Sequence, residues 1–340
     1  MPLIVSLMNA MARARGMERI TVSSTAAQLD NSNSEVIDVA ESAPIPRRIA
    51  AVRSERKVQF ATVTRSNGSA KPLFMDVLTP PGPGPFPAIV YVSGGGFLVA
   101  VRRAAARQRA YLAAAGFVVA SIDYRVVPDG ATWREGVADV RSAVRFLRSQ
   151  AERFSIAPDR VGVWGESAGA YLSSMTAATA KTFEDSGEHL EQLGAVQAAA
   201  SFFGAADLSS LAAGFDAASI AAAARKDSAF AKYVAGDSAG RSVNDMPEEV
   251  LQASPKSHAS PDGPAFLLFH GEDDRIISPL QTQHLHDDLR TLGVASTRYV
   301  VRNAGHGIMG DNPKLWLTTG VMDLTAAFFK QHLIEHAGTV

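Results

Sequence analysis

The 340-residue chain is 46% hydrophobic and 20% charged, an ordinary globular balance that suits one large α/β domain or two small ones. Its 33 basic and 34 acidic residues nearly cancel, so neither nucleic acid nor a strongly charged surface is an expected partner. There is no cysteine, which excludes a disulfide framework, a cysteine-ligated metal and a cysteine nucleophile, and no apolar run reaches the roughly 18 residues of a membrane span.

Residues 1–11 are mildly apolar, but the basic cluster at 13–19 follows them instead of preceding them. This reads as an extension or a pruned leader, not an intact signal peptide. The cytoplasm is the slightly favoured compartment, with secretion after leader trimming as the other course. Residues 21–34 are rich in Ser, Thr, Asn and Ala without a period, as in a surface arm. Residues 1–50 are therefore expected to form an N-terminal extension, in which 3–17 could supply a cap helix. Residues 57–64 alternate and lead to Asn67-Gly68, a hairpin signal, and 72–78 alternate again, which predicts two antiparallel strands.

Apolar runs then take turns with helical patterns. Strands are predicted at 88–92, 117–122, 160–164, 195–203, 265–270 and 296–301. Helices are predicted at 104–115, 134–154, 170–180, 280–292 and 315–332. The alanine-rich stretch 207–260 has helical character and no strand signal, and is too long for a plain connection. The alternation implies a mostly parallel sheet covered on both faces, within a domain spanning 51–335 that carries an insertion at about 207–260.

Between one predicted strand and helix stands Gly165-Glu166-Ser167-Ala168-Gly169, which fits the G-x-S-x-G nucleophile elbow. So tight a turn requires the residues two before and two after the serine to lack a side chain. It holds the Ser167 hydroxyl at a strained position near a helix N-terminus. A serine hydroxyl needs a base, and His306 in Gly305-His306-Gly307 follows the last predicted strand, at the same sheet edge. His284 and His286 fall on a helix, His332 and His336 near the C-terminus, and His189 and His258 in polar segments that suit a solvated role. His270 ends a strand and suits hydrogen bonding to the loop that follows. The base in turn needs a carboxylate, and Glu272, Asp273 and Asp274 all follow a strand, a choice that residue chemistry alone leaves open. Glycines 94–96, after an early strand, can turn backbone amides towards an oxyanion, whereas they lack the Lys-Ser/Thr ending of a phosphate loop.

With these pieces placed, the chain resembles the α/β-hydrolases, in the branch of hormone-sensitive-lipase-like esterases and bacterial acetyl and feruloyl esterases. The resemblance runs from about residue 71 to 329 and rests on Asp123-Tyr124-Arg125, Gly165–Gly169, His270-Gly271-Glu272-Asp273-Asp274 and Gly305-His306-Gly307, with the 86–92 strand before them. It implies a mostly parallel central sheet of about eight strands with helices on both faces, and a helical cap insertion. It also implies a triad of Ser167, Asp274 and His306, oxyanion donors at the amides of Gly95, Gly96 and Ala168, and structural roles for Asp123-Tyr124-Arg125 and Asp139. One departure stands out: Ser93 occupies the place of the family's usual histidine in His-Gly-Gly-Gly, where it can keep one of that histidine's loop hydrogen bonds with a shorter reach. The expected activity is that of a serine carboxylic-ester hydrolase working through an acyl-enzyme, without metal or organic cofactor. Small or short-chain acyl esters are the expected substrates, because the insertion has few large aromatics beyond Phe215, Phe230 and Tyr233. An amidase or peptidase on the same triad and a non-catalytic small-molecule binder are the other readings. The expected partners are a small-molecule ester and at most a second copy of the chain in a homodimer.

Overall fold

A nine-stranded sheet forms the centre of the computed structural model, which describes residues 22–335 except 26, 50, 51, 181, 227 and 237–239. In chain order the strands are β1 (Glu35–Ile37), β2 (Arg53–Thr64), β3 (Ala70–Thr79), β4 (Phe86–Val92), β5 (Val118–Ile122), β6 (Ile156–Glu166), β7 (Ala198–Phe202), β8 (Ala265–Gly271) and β9 (Ser296–Val301). Their spatial order is β1-β9-β8-β7-β6-β4-β5-β3-β2. The pairs β2–β3 and β3–β5 are antiparallel, and every other pair is parallel.

The central strands are apolar on both sides because both sides are covered. Val90, Val92, Val161 and Val163 face helices α2 (Trp133–Ser149) and α3 (Ala168–Ala178), meeting Val140, Val144, Tyr171 and Met175. Ile89, Tyr91 and Trp164 face the opposite layer, α1 (Ala106–Ala114) and the closing helix (Thr319–Lys330), meeting Leu112, Val321 and Phe329. Helix α2 starts on a capping box, in which the Thr132 amide donates to the Glu135 carboxylate at 2.8 Å and Thr132 Oγ1 accepts from the Arg134 amide. The Arg125 guanidinium grips Asp139 on this helix at 2.7 and 3.0 Å, which ties the loop after β5 to α2 as the resemblance implies.

The structure differs from the sequence reading in places that have physical causes. Among the described residues there are nine strands where about eight were expected, and the extra one is β1, inside the stretch read as an extension. Three residues are too few to show a period, and β1 exists because β9 offers an edge for parallel pairing. Around it Val39 and Ile45 are buried, and the Ile45 amide donates to the Leu317 carbonyl. The 134–154 helix stops at Ser149 and adds one separate turn, Ala151–Phe154. The closing helix is shorter than expected because a 3₁₀ turn, Pro313–Leu317, precedes it. The candidate cap helix at 3–17 lies outside the described residues.

Among its described residues the stretch 207–260 contains three short helices, α4 (Ala217–Ala223), α5 (Ala229–Ala235) and α6 (Pro247–Gln252), with one 3₁₀ turn before α4, one between α5 and α6 and one after α6. It lies between β7 and β8.

Candidate active site

Strand β6 ends at Glu166 and α3 begins at Ala168, leaving Ser167 alone in the turn at φ 53° and ψ −120°. A Cβ on Gly165 would stand 2.2 Å from the Gly169 carbonyl oxygen, and one on Gly169 would stand 2.0 Å from that of Val92. Both obstacles are backbone, so only glycine fits at either position. The Ser167 amide donates to the Phe202 carbonyl at 2.9 Å, fastening the turn to the end of β7.

His306 reaches this serine from the loop after β9, with Nε2 2.8 Å from Ser167 Oγ and Nδ1 2.7 Å from Asp274 Oδ2. A carboxylate only accepts, so the ring proton sits on Nδ1, and Nε2 is left to accept from the serine hydroxyl. Gly305 allows the loop to close, because a Cβ there would lie 2.3 Å from the Asp311 amide nitrogen. Phe203 packs against the imidazole with ring centroids 4.9 Å apart.

Of the three acids, Asp274 is the one that meets His306. Glu272 instead accepts from the Asn303 amide at 3.0 Å, and Asp273 is half-buried beside it. Asp274 is completely buried, and its second oxygen accepts from the amides of Ile276 and Ile277 at 2.9 and 3.1 Å. Burial pushes its carboxyl up, but His306 and His270 together hold it well below the usual carboxylate range. His270 Nε2 lies 3.1 Å from Asp274 Oδ2 and 3.1 Å from the Ile277 carbonyl. Both are acceptors, which places the proton on that nitrogen; burial favours the neutral ring. The loop-positioning role read for His270 thus extends to the carboxylate itself.

Across from the histidine, the loop after β4 folds back on itself. Ser93 is completely buried, and its Oγ accepts from the Val101 amide at 2.8 Å while its carbonyl accepts from the Tyr124 hydroxyl at 2.8 Å. The shorter side chain therefore does keep a hydrogen bond within the loop. Gly95 does not line the cavity that contains Ser167; its carbonyl accepts from the amides of Leu98 and Val99, and a Cβ there would lie 2.0 Å from the Val99 oxygen. Gly96 and Ala168 border the cavity that contains Ser167, and Ala168 opens α3, where the first amides have no acceptor within the helix.

That cavity has a volume of about 140 Å³ and is mostly apolar. The β4 loop contributes Phe97 and Leu98, the insertion Leu211, Phe215 and Phe230, and the acid loop Ile276 and Ile277. Tyr233 does not border the cavity; it is buried and stacked on Phe97 at 4.2 Å. Tyr171 Oη donates to the Ala253 carbonyl at 2.6 Å, fastening the nucleophile helix to the insertion.

Sequence reasoning missed how the N-terminal residues join this site. The Ser24 amide and hydroxyl donate to Asp216 Oδ2 at 2.8 and 2.7 Å, and Ser23 Oγ does so at 3.0 Å. The other Asp216 oxygen caps α4 by accepting from the Ser219 amide at 2.8 Å. The Ser23 amide donates to the carbonyl of Arg275, beside the acid. The Asp-x-x-Ser cap is visible in the sequence, but its partner is some 190 residues away. His189 and His258, read as solvated, each meet a carbonyl at 2.8 Å, that of Phe60 and that of Gln252, and pack on Phe146 and Phe183.

Comparison with known proteins places the fold and the family of the chain. A truncated carbohydrate esterase from gut microbiota superposes with a TM-score of 0.70 at 22% identity, covering 84% of this chain and 98% of its own. The butyrate-bound esterase Est2 of Thermogutta terrifontis gives 0.63 at 21% identity, covering 84% and 96%. These likenesses establish the α/β-hydrolase fold. Esterase LipC of Mycobacterium tuberculosis is 29% identical over 228 residues, which is 66% of this chain and 53% of LipC, so the chain spans about half of that relative. The BD-FAE family model matches residues 75–289, from β3 into the helix that follows the acid loop and well over half of the 340 residues; the chain belongs to the BD-FAE family.

Proposed function

We propose that the chain is a serine carboxylic-ester hydrolase acting through an acyl-enzyme on small or short-chain acyl esters. The observation that carries this reading is the continuous hydrogen-bonded relay from Ser167 through His306 to Asp274, opening on a small apolar cavity. Ser167 Oγ attacks the ester carbonyl as His306 Nε2 takes its proton, and Asp274 stabilises the imidazolium that results. The amides of Gly95, Gly96 and Ala168 receive the oxyanion. The alcohol leaves with the proton from His306, and water then cleaves the acyl-enzyme by the same route in reverse.

The size preference is supported by the cavity, whose 140 Å³ is small beside the about 300–1,000 Å³ of sites for drug-sized ligands. Est2, similar in fold, was captured with butyrate. The insertion 207–260 acts as the cap, since Leu211, Phe215 and Phe230 wall the cavity from that side.

The test is hydrolysis of p-nitrophenyl esters of rising chain length, beside matching anilides, by the native protein and by Ser167→Ala. Turnover is expected to fall by about 10⁴-fold or more in the variant and to peak at two to four acyl carbons. Equal rates for native and variant protein would sink the hydrolase reading. Anilides cleaved faster than esters would make the protein an amidase.

A further inference from the structure

The loop that carries the oxyanion glycines is strained at its far end. Gly96 and Phe97 follow one another at φ 58° and 61°, both in the left-handed region. Glycine enters that region freely, whereas a phenylalanine there brings its Cβ against the carbonyl oxygen that follows and stays only where its surroundings hold it. One hold is backbone, since the Phe97 carbonyl accepts from the Val127 amide at 2.9 Å. The other is the side chain, which is buried among three more rings. Tyr233 lies stacked on it at 4.2 Å and 18°, and Tyr171 and Phe230 meet it edge-on at 5.3 and 5.4 Å.

These rings come from different parts of the chain. Tyr171 belongs to α3, which starts at the nucleophile, and Phe230 and Tyr233 belong to α5 of the insertion. Tyr171 and Phe230 border the cavity, but Tyr233 reaches from Phe97 towards α2, where a Cβ on Gly136 would stand 2.0 Å from its hydroxyl oxygen. That buried hydroxyl has no hydrogen-bond partner among the described residues, so what Tyr233 offers its surroundings is the ring.

We propose that Tyr233 is a positioning residue: stacked on Phe97, its ring holds the left-handed Gly96–Phe97 turn and so keeps the oxyanion loop in shape beside Ser167. Release of Phe97 to a negative φ would swing the peptide plane that joins it to Gly96 and shift the Gly96 amide with it. The effect on rate rests on the ester-hydrolase reading; the hold on the loop does not. Tyr233 touches no reacting atom and acts only through Phe97, so the insertion shapes the oxyanion loop as well as the cavity wall.

Tyr233→Leu removes the stack and keeps an apolar side chain, whereas Tyr233→Phe keeps the stack and removes only the hydroxyl. In hydrogen exchange of the full chain read by mass spectrometry, the peptide with the Leu98 and Val99 amides, both bonded to the Gly95 carbonyl, should exchange about 10-fold faster in Tyr233→Leu and at the native rate in Tyr233→Phe. With p-nitrophenyl acetate, Tyr233→Leu should lower kcat about 10-fold with KM within about two-fold, less than the roughly 10²–10³-fold cost of a whole oxyanion donor, and Tyr233→Phe should restore it. Gly136→Ala strikes the Tyr233 oxygen from α2 and should lower kcat in the same way, with recovery when Tyr233→Phe is added; it decides the matter where Tyr233→Leu does not fold. A folded Tyr233→Leu variant with native exchange or native kcat overturns the proposal, even if it melts earlier, because that is plain packing. A raised KM at unchanged kcat also overturns it, by placing Tyr233 against substrate. If the native protein cleaves no ester, the hydrolase reading fails, and the exchange rates still decide whether Tyr233 holds the loop.

Discussion

At Ser167 the backbone reverses between β6 and α3 with two carbonyls so close that neither flanking glycine can carry a methyl group. Such a conformation costs about 1–3 kcal/mol and persists only because its surroundings hold it, here β6 pairing on both sides and the Ser167 amide bonded to Phe202. Gly165→Ala should therefore destabilise by about 3 kcal/mol in urea titrations, with activity lost alongside; a stable, active variant would show that the turn can relax. Ser93 makes a separate residue-scale case. Its hydroxyl is the acceptor for the Val101 amide, so Ser93→Ala should cost about 1–3 kcal/mol for the partner left unpaired. If that bond also sets the oxyanion loop, kcat for p-nitrophenyl acetate should fall more than KM rises; an unchanged kcat would confine Ser93 to stability.

Helix α2 shows what an element can do beyond its apolar face. Arg141, Arg145 and Arg148 recur on its buried surface and reach into the segment read from sequence as merely polar. Arg145 donates to the carbonyls of Glu188 and Ser186 at 2.7 and 2.6 Å and pairs with Asp185 at 3.0 Å. Arg148 donates to the carbonyls of Pro158, Leu193 and Ala195. Two guanidinium groups thus satisfy carbonyls of a segment with no regular structure of its own, and Arg141 adds a pair to the Asp185 side chain at 3.2 Å. Burial lowers Arg148 to about 10, still charged at neutral pH. Arg145→Met should cost about 1.5–3 kcal/mol and expose residues 182–197 to protease, with kcat/KM within about two-fold of native because the latch lies away from the cavity; unaltered proteolysis would mean that other contacts hold the segment. The N-terminal strand β1 and the Ser23–Ser24 contact with Asp216 work in a similar way, securing chain by contacts distant in sequence.

Over the whole molecule, two carboxyls beside Ser167 and His306 shift in opposite directions, and their signs predict how stability depends on pH. Asp274 is held below its ordinary value, so its contribution is present above about pH 4 and is lost as pH falls. Glu166 is raised by burial to about 7, so its contribution is present below about pH 4.5 and is lost as pH rises towards 7. The melting temperature should accordingly peak near pH 5 and decline on both sides, as calorimetry can measure. In Glu166→Gln the decline towards pH 8 should flatten; an identical slope in the two proteins would remove Glu166 as its cause.

Much of this protein was legible without coordinates, because its strongest signals are local. A strand, a glycine-flanked serine and a helix must form a tight elbow wherever they occur, and alternating apolar runs separated by helical periods must build a covered parallel sheet. Ser167 and His306 stood out for that reason. Folding was needed wherever the partner is remote in sequence. It brought Asp274, rather than its two acidic neighbours, against His306, with His270 on the same oxygen. It gave β1 an edge to pair with, buried Arg145 and Arg148 of α2 against loop carbonyls, and set Tyr91 and Arg109 in line with Glu166. Periodicity records which face of an element is buried; which residue waits on the other side of that face is decided only when the layers pack.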